Sequence, residues 1–400
     1  MLKNKKRPDG RLKSAVYLGQ SEGKAQYKYV YADNNRDLER KVQEIKTKLG
    51  KGLDLTAERD SFKYWAERWL KLKKTEVSAG RYASYTARLK NLERLYGYEI
   101  SKLRANDVQE LLIDLASEPC KRTGKPLAKA TLNDVKNTAR QIVQLAIDNR
   151  VIDFNPVNSC TIPKIAAPAE KRRALTDEEQ RWIREFPHRA QTAAMIMMYA
   201  GLRRGELLAL TWADIDLKAK TIRVNKSVEI VNNTSIVKEG GKTKAATRIV
   251  YIPQLLADYL ASVPGAHFGY VVCKKNGAIM TDSAWKRLWD SYLDDLNLQY
   301  GEWENCLQTK GKRPSKYTHK DKKPMLIPRF TAHWLRHTFI TLMYMAGIDI
   351  LTAKEQAGHE DIETTMSIYT HLDEQFKRKN VSKLDEYLNQ ENEKKAVESV

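Results

Sequence analysis

The run His333-Trp334-Leu335-Arg336-His337 is followed by Gly358-His359-Glu360-Asp361-Ile362-Glu363-Thr364-Thr365-Met366-Ser367-Ile368-Tyr369-Thr370-His371. Together they gather imidazole, guanidinium and phenol groups into one short span. In a helix His333 and Arg336, three apart, are neighbours on one face. His333 and His337 stand four apart, a spacing that invites a zinc reading. Against it, no His-Glu-x-x-His is present and no acidic third ligand is close by. Arg336 would also set a fixed cation beside the metal. No metal and no cofactor is expected.

Two patches upstream carry related chemistry. Ala200-Gly201-Leu202-Arg203-Arg204-Gly205-Glu206-Leu207 puts an arginine at the junction of two apolar helical runs. Taken alone, such an arginine reads as a surface or capping residue. Gly240-Gly241-Lys242-Thr243-Lys244 then leads into Arg248-Ile249-Val250-Tyr251-Ile252-Pro253, a strand pair joined by a basic turn. It reads as a solvated hairpin, or as a tight glycine turn that lays Lys242 against a phosphate.

Composition names the partner class. The chain has 400 residues, 70 Lys plus Arg against 50 Asp plus Glu, and a formal charge of +20. Hydrophobic residues at 42% are ample for cores, so this is a folded multidomain chain and not a basic tail. A polyanion is the natural partner, with nucleic acid ahead of an anionic membrane. No apolar run approaches the roughly 18–20 residues of a bilayer span. The start, Met1 to Arg7, has basic residues but no apolar segment after them, unlike a secretory signal. Cys120, Cys160, Cys273 and Cys306 lie far apart and read as buried thiols of a reducing cytoplasm.

The joints follow from composition shifts. A basic arm (Lys3, Lys5, Lys6, Arg7, Arg11, Lys13) precedes alternating runs at Ala15–Leu18 and Gln26–Tyr31, then a helical stretch Asp37–Leu49 closed by Gly50. Tyr27, Tyr29 and Tyr31 share one face of a strand, and Lys28 and Val30 the other. The tyrosines are expected to pack on the helix; alternatively, the basic face with Lys28 enters a DNA groove. Four helices are predicted over Ser61–Lys74, Ser78–Tyr96, Asn106–Ala116 (capped by its Asn) and Lys129–Arg150. The loop Lys121-Arg122-Thr123-Gly124-Lys125-Pro126 is basic, and prolines 156, 163 and 168 mark a linker before Lys171-Arg172-Arg173. Thr176-Asp177-Glu178-Glu179 has the pattern of a capping box.

Gly-Leu-Arg-x-x-Glu, a hairpin Lys, His-x-x-Arg-His, Gly-His and a Tyr ten residues later occur in this order across Thr176–Asp373. In this the chain resembles the tyrosine recombinase (phage integrase) family, and its layout is similar to integrases of conjugative transposons and lambda-type phages. The resemblance implies a multidomain, mainly α fold with small β-sheets. An arm-type DNA-binding domain of small sheet plus helix would cover 1–55, and a helical core-site domain 60–163. A linker 164–174, a mixed α+β catalytic domain 175–378 and a C-terminal helical tail 379–400 would follow. Ala357 stands where the family more often has Leu.

By the same resemblance, Arg203 and Arg336 hold the scissile phosphate. Lys242 (or Lys244, should the register slip) is the general acid, His333 an acid/base, His359 a hydrogen-bond donor and Tyr369 the nucleophile. Glu206 supports the arginine by an ion pair. Lys3, Lys5, Lys6, Arg7, Lys28, Lys121, Arg122, Lys125, Arg172, Arg173, Lys312 and Arg313 are expected to contact DNA. The stretch holding Lys310 to Lys323 reads as an inserted solvated loop or as a further phosphate clamp.

The implied reaction is site-specific recombination of a mobile element through a 3′-phosphotyrosyl ester. A type IB-like topoisomerase would use the same residues, and an inactive DNA-binding regulator is the other alternative. The implied partners are double-stranded DNA at core and separate arm sites, and three further copies in a DNA-bound homotetramer. The tail, with Val381, Leu384, Tyr387 and Leu388 at helical spacing, either docks on a neighbour or frays. An accessory DNA-bending or excision protein and a place on the bacterial nucleoid complete the expectation; no membrane is involved.

Overall fold

The computed structural model describes residues 5–6, 8–21, 24–55, 61–120, 124–168, 173–231, 233–240, 247–265, 267–318, 323–363 and 366. The chain divides into two compact units, Met1–Glu170 and Lys171–Val400. Both are mainly helical with small antiparallel sheets. None of the described helices is long and apolar enough to cross a membrane.

The first unit holds two cores. One is a sheet of β1 (Lys5–Lys6), β2 (Leu12–Ser21) and β3 (Lys24–Ala32), in that order, backed by α1 (Asn35–Gly50). Asn34 starts the helix by accepting the Asp37 N–H at 2.8 Å. The register opposes Ser14 to Val30 and Tyr17 to Tyr27, so side chains alternate cleanly between two faces. Val16, Val30 and Ala32 pack on Leu38 and Val42. The expected orientation is therefore reversed. Lys28 shares the helix-facing side with Val30 and is half-buried, while Tyr17, Tyr27 and Tyr29 are 50%, 51% and 53% exposed. The aliphatic side chains close the core against α1, and the phenol rings face outward.

The other core is built by α2 (Phe62–Glu76), α3 (Ala79–Lys90), α4 (Ala105–Ser117) and α5 (Lys129–Asp148). Phe62, Trp65 and Trp69 meet Leu111, Leu112, Leu132, Val135 and Ile142 in one contiguous cluster. Asn106 is not the cap of α4. It lies within the first turn, and Asp107 reaches back to the Arg104 N–H at 2.8 Å instead.

The second unit begins with α6 (Asp177–Glu185), α7 (Gln191–Tyr199) and α8 (Arg204–Ala209). Thr176 and Glu179 form the expected reciprocal capping bonds. Strands β4 (Ile215–Asp216), β5 (Thr221–Val224) and β8 (Arg248–Tyr251) make one antiparallel sheet. A hairpin of β6 (Lys226–Val231) and β7 (Thr234–Glu239) stands beside it. Then come α9 (Gln254–Ser262), α10 (Asp282–Tyr300), α11 (Ala332–Met345) and α12 (Ile350–Ala357). Helix α7 is apolar nearly all round because it runs through the core, with Ala193, Ala194, Ile196, Met197 and Met198 buried.

The basic stretch after α10 is more than a bare loop. Trp303 is buried and donates its indole N–H to the Asn297 carbonyl at 3.1 Å. The buried Asn297 side chain donates to Pro324 at 3.0 Å and accepts from Leu326 at 2.8 Å, pinning both ends of the excursion. Lys312 and Arg313 lie exposed between those ends, and Arg313 donates to Gln299. Of the cysteines, Cys160 and Cys306 are buried as expected, but Cys120 and Cys273 are only half-buried.

Candidate active site

Two helix ends and one helix face bring the basic residues together. Gly201 follows α7 with φ +65°, a conformation that strains any residue with a Cβ. It also packs against Phe339: a Cβ added there would sit 2.2 Å from the ring. The chain thus reverses within two residues, and Arg203 becomes the residue that opens α8. At the other end Gly358, φ +65°, closes α12. Its N–H bonds Glu355 at 2.9 Å while that of His359 bonds Lys354 at 3.0 Å, the paired closure that ends a helix in a left-handed residue. The Gly-His pair is a helix terminator that fixes where His359 emerges.

Arg336 comes from the buried face of α11 and is anchored by main chain. It donates to Gly201 at 2.6 Å and to the Ala357 carbonyl. Arg203 donates to the Gly358 carbonyl and to Glu206 Oε1 at 2.8 Å, while its N–H donates to Glu206 Oε2 at 2.9 Å. Arg203 and Arg248 therefore share the carboxylate of Glu206, while Arg336 is held by main-chain carbonyls. Arg336 is almost wholly buried, and burial first, then the charges of Arg203 and Arg248, push its pKa down to about 9. It stays protonated at pH 7, in a setting that an added anion would relieve. Burial and the same arginines push His359 down to about 4, so it is neutral at pH 7 and offers one N–H. Burial pushes Glu206 upward, but the hydrogen bond and charge of Arg248, with help from Arg203, hold it below the usual carboxylate range.

The structure thus unites Arg203, Glu206, Arg336 and His359. His333 is exposed one turn before Arg336 on α11. Lys242, Lys244 and Tyr369 lie outside the described residues, as do Lys3, Arg7, Lys121, Arg122 and Arg172. Lys5 and Lys6 are described only as backbone of β1, and Lys125 is exposed. Arg173 grips Glu179 with two bonds of 2.6 Å and lies 5.4 Å over Trp334, which gives it a structural partner. Arg204, next to Arg203, pairs with Asp282 at 3.0 Å.

Arg248 is the residue that sequence reasoning passed over. It sits on β8, 8% exposed, and donates to Glu206 at 3.2 and 3.0 Å and to the Gln356 carbonyl at 3.0 Å. A charged residue in a short strand reads as solvent-facing. The only signal was the alternation Arg-Ile-Val-Tyr, which puts Arg248 on the same face as the buried Val250.

Residues 170–375 match the model of the phage integrase family. Among curated relatives, a tyrosine recombinase XerC-like protein of Caldanaerobacter subterraneus is 26% identical over 379 residues, covering 89% of this chain and 91% of that protein. Among solved structures, Tn1549 transposon integrase in complex with a circular-intermediate DNA has a TM-score of 0.63 at 19% identity, covering 81% of this chain and 99% of that one. A lambda integrase tetramer bound to a Holliday junction has a TM-score of 0.52 at 15% identity, covering 93% and 97%.

Proposed function

The chain belongs to the phage integrase family, and on that premise we propose that it is the site-specific DNA recombinase of a mobile element, with Tyr369 as its nucleophile. The observation that carries this reading is the cluster of Arg203, Arg336 and neutral His359 around the two helix ends. Such a cluster fits a phosphodiester in the trigonal-bipyramidal state. Two guanidiniums bind the non-bridging oxygens, and their hold strengthens as charge accumulates there. By analogy with other oxyanion donors, losing either should cost about 3–4 kcal/mol of transition-state stabilisation.

In the proposed cycle the Tyr369 oxygen attacks phosphorus and yields its proton, with His333 as the acid/base. The P–O5′ bond breaks, and Lys242 donates a proton to the departing 5′ oxygen. The 3′-phosphotyrosyl ester conserves the phosphodiester bond, and a 5′ hydroxyl from the partner duplex reverses the step. An unperturbed phenol titrates near 10, so a cationic surrounding is what lets Tyr369 act at neutral pH.

Two accessory roles belong to the same reading. The exposed face of the small sheet, with Lys13 3.9 Å over the Tyr29 ring and Tyr17 5.5 Å from Tyr27, would hold arm-site DNA. A groove of about 780 Å³ between β8 and helices α11 and α12, lined by Ile249, Tyr251, Met343 and Ile348, would seat the tail of a neighbouring copy in a DNA-bound tetramer. That a lambda integrase forms a tetramer on a Holliday junction supports this assembly. Work on the nucleoid, aided by a DNA-bending or excision protein, completes the proposal.

The experiment is covalent trapping on a nicked duplex carrying an end of the element. Tyr369→Phe should bind this DNA as wild type does yet form no adduct. Normal trapping by that variant would remove Tyr369 from the mechanism.

A further inference from the structure

All three side-chain nitrogens of Arg248 are engaged by protein acceptors, and through them it touches both halves of the arginine cluster. Glu206 Oε1 accepts from Arg203 Nη1 at 2.8 Å and from Arg248 Nη1 at 3.2 Å. Its Oε2 accepts from the Arg203 N–H at 2.9 Å and from Arg248 Nη2 at 3.0 Å. One carboxylate therefore serves two guanidiniums, and the planar fork of Arg248 fixes the plane in which it does so. The third nitrogen, Arg248 Nε, donates to the Gln356 carbonyl at 3.0 Å, two residues before Gly358. Gly358 itself leaves no room for a side chain here: a Cβ would lie 2.7 Å from Arg248 Nη1. The Gln356 amide returns the link by accepting the Tyr251 N–H at 2.8 Å, which sews β8 to the end of α12.

We propose that Arg248 is a positioning residue for strand cleavage: through Glu206 it orients Arg203, and through Gln356 it holds the helix end that presents His359. This rests on the recombinase reading above. The rival is that Arg248 merely balances the buried charge of Glu206. The two differ in what they ask of the side chain, since charge balance needs a cation whereas positioning needs the fork. Lysine supplies the first without the second.

The test compares wild type, Arg248→Lys, Glu206→Gln and the double variant, all full length. The probe is the nicked duplex on which wild type forms its adduct, with protein in excess, and rate constants come from the time course of adduct formation. Misplacement of a catalytic group by about 1 Å costs on the order of 100-fold, so Arg248→Lys should slow the rate constant by at least ~10-fold. The apparent Kd for the duplex should change by less than about 3-fold. Because part of the effect of Arg248 runs through Glu206, the double variant should be faster than the product of the two single losses predicts. A wild-type rate constant for Arg248→Lys overturns the proposal, whatever the yield, because unfolded molecules lower only the yield. Single losses that multiply in the double variant overturn it too. Absence of any adduct with wild type would count against the recombinase reading instead.

Discussion

Gly201→Ala is a small change that the structure makes costly for two separable reasons. The first is backbone: at φ +65° an L-residue with a Cβ costs about 1–2 kcal/mol relative to glycine. The second is packing. The new methyl carbon would stand 2.2 Å from Phe339 Cδ1 and 2.6 Å from Cε1, so the ring, only 6% exposed, has to move. Overpacking of this kind costs about 1–3 kcal/mol, for a sum of about 2–5 kcal/mol. At ~2–4 °C per kcal/mol for a unit of this size, the melting temperature should fall by about 4–20 °C. Thermal unfolding of the full chain, followed by near-UV circular dichroism of the second unit's tryptophans, reads the shift. In a Phe339→Ala background the packing part should vanish and about 1–2 kcal/mol of backbone cost remain. The reasoning fails if Gly201→Ala melts within 1 °C of wild type, or if its cost is the same with and without the Phe339 ring. Because Gly201 also accepts from Arg336, strand cleavage should weaken even at temperatures where the variant is folded.

Stability should depend on acid in a definite direction. Burial holds both His188 and His359 below the ordinary histidine value, so the unfolded chain binds more protons than the folded one between about pH 6.5 and pH 4. The melting temperature should therefore fall as pH drops through that window, and His188→Gln with His359→Gln should flatten the fall above pH 4.5; a melting temperature that rises toward pH 5 refutes this. On the sheet, Tyr17→Ala and Tyr29→Ala should leave stability within about 0.5 kcal/mol, since both rings are half exposed. They should weaken binding of full-length protein to arm-bearing DNA, measured by gel shift, while binding to a core-only duplex stays unchanged. Equal affinities on the arm-bearing DNA would dismiss that face as a DNA contact.

What could be read in the sequence was local or periodic. The Thr176–Glu179 box is visible because its partners are three residues apart, and the helices from Phe62 to Asp148 because their apolar residues recur at one spacing. Period two likewise separated Tyr27 and Tyr29 from Lys28 and Val30, but it could not say which face meets the helix. The tyrosines are the expected core face, whereas Val16, Val30 and Ala32 are the residues that pack on α1. Asn106 carried the right chemistry for a cap one residue inside the helix that Asp107 closes. Arg248 escaped because its partners lie 42 and 108 residues away, and no spacing rule reaches that far.

The anchoring of Arg336 bears on how such a site survives divergence. Arg336 donates to the carbonyls of Gly201 and Ala357, groups that every amino acid supplies. At 357 the side chain is therefore free to change without withdrawing the acceptor. The anchor depends on the path of the backbone, a path that requires glycine at 201. A lineage can rewrite most of this unit and still inherit the placement of Arg336, provided the two turns keep their course.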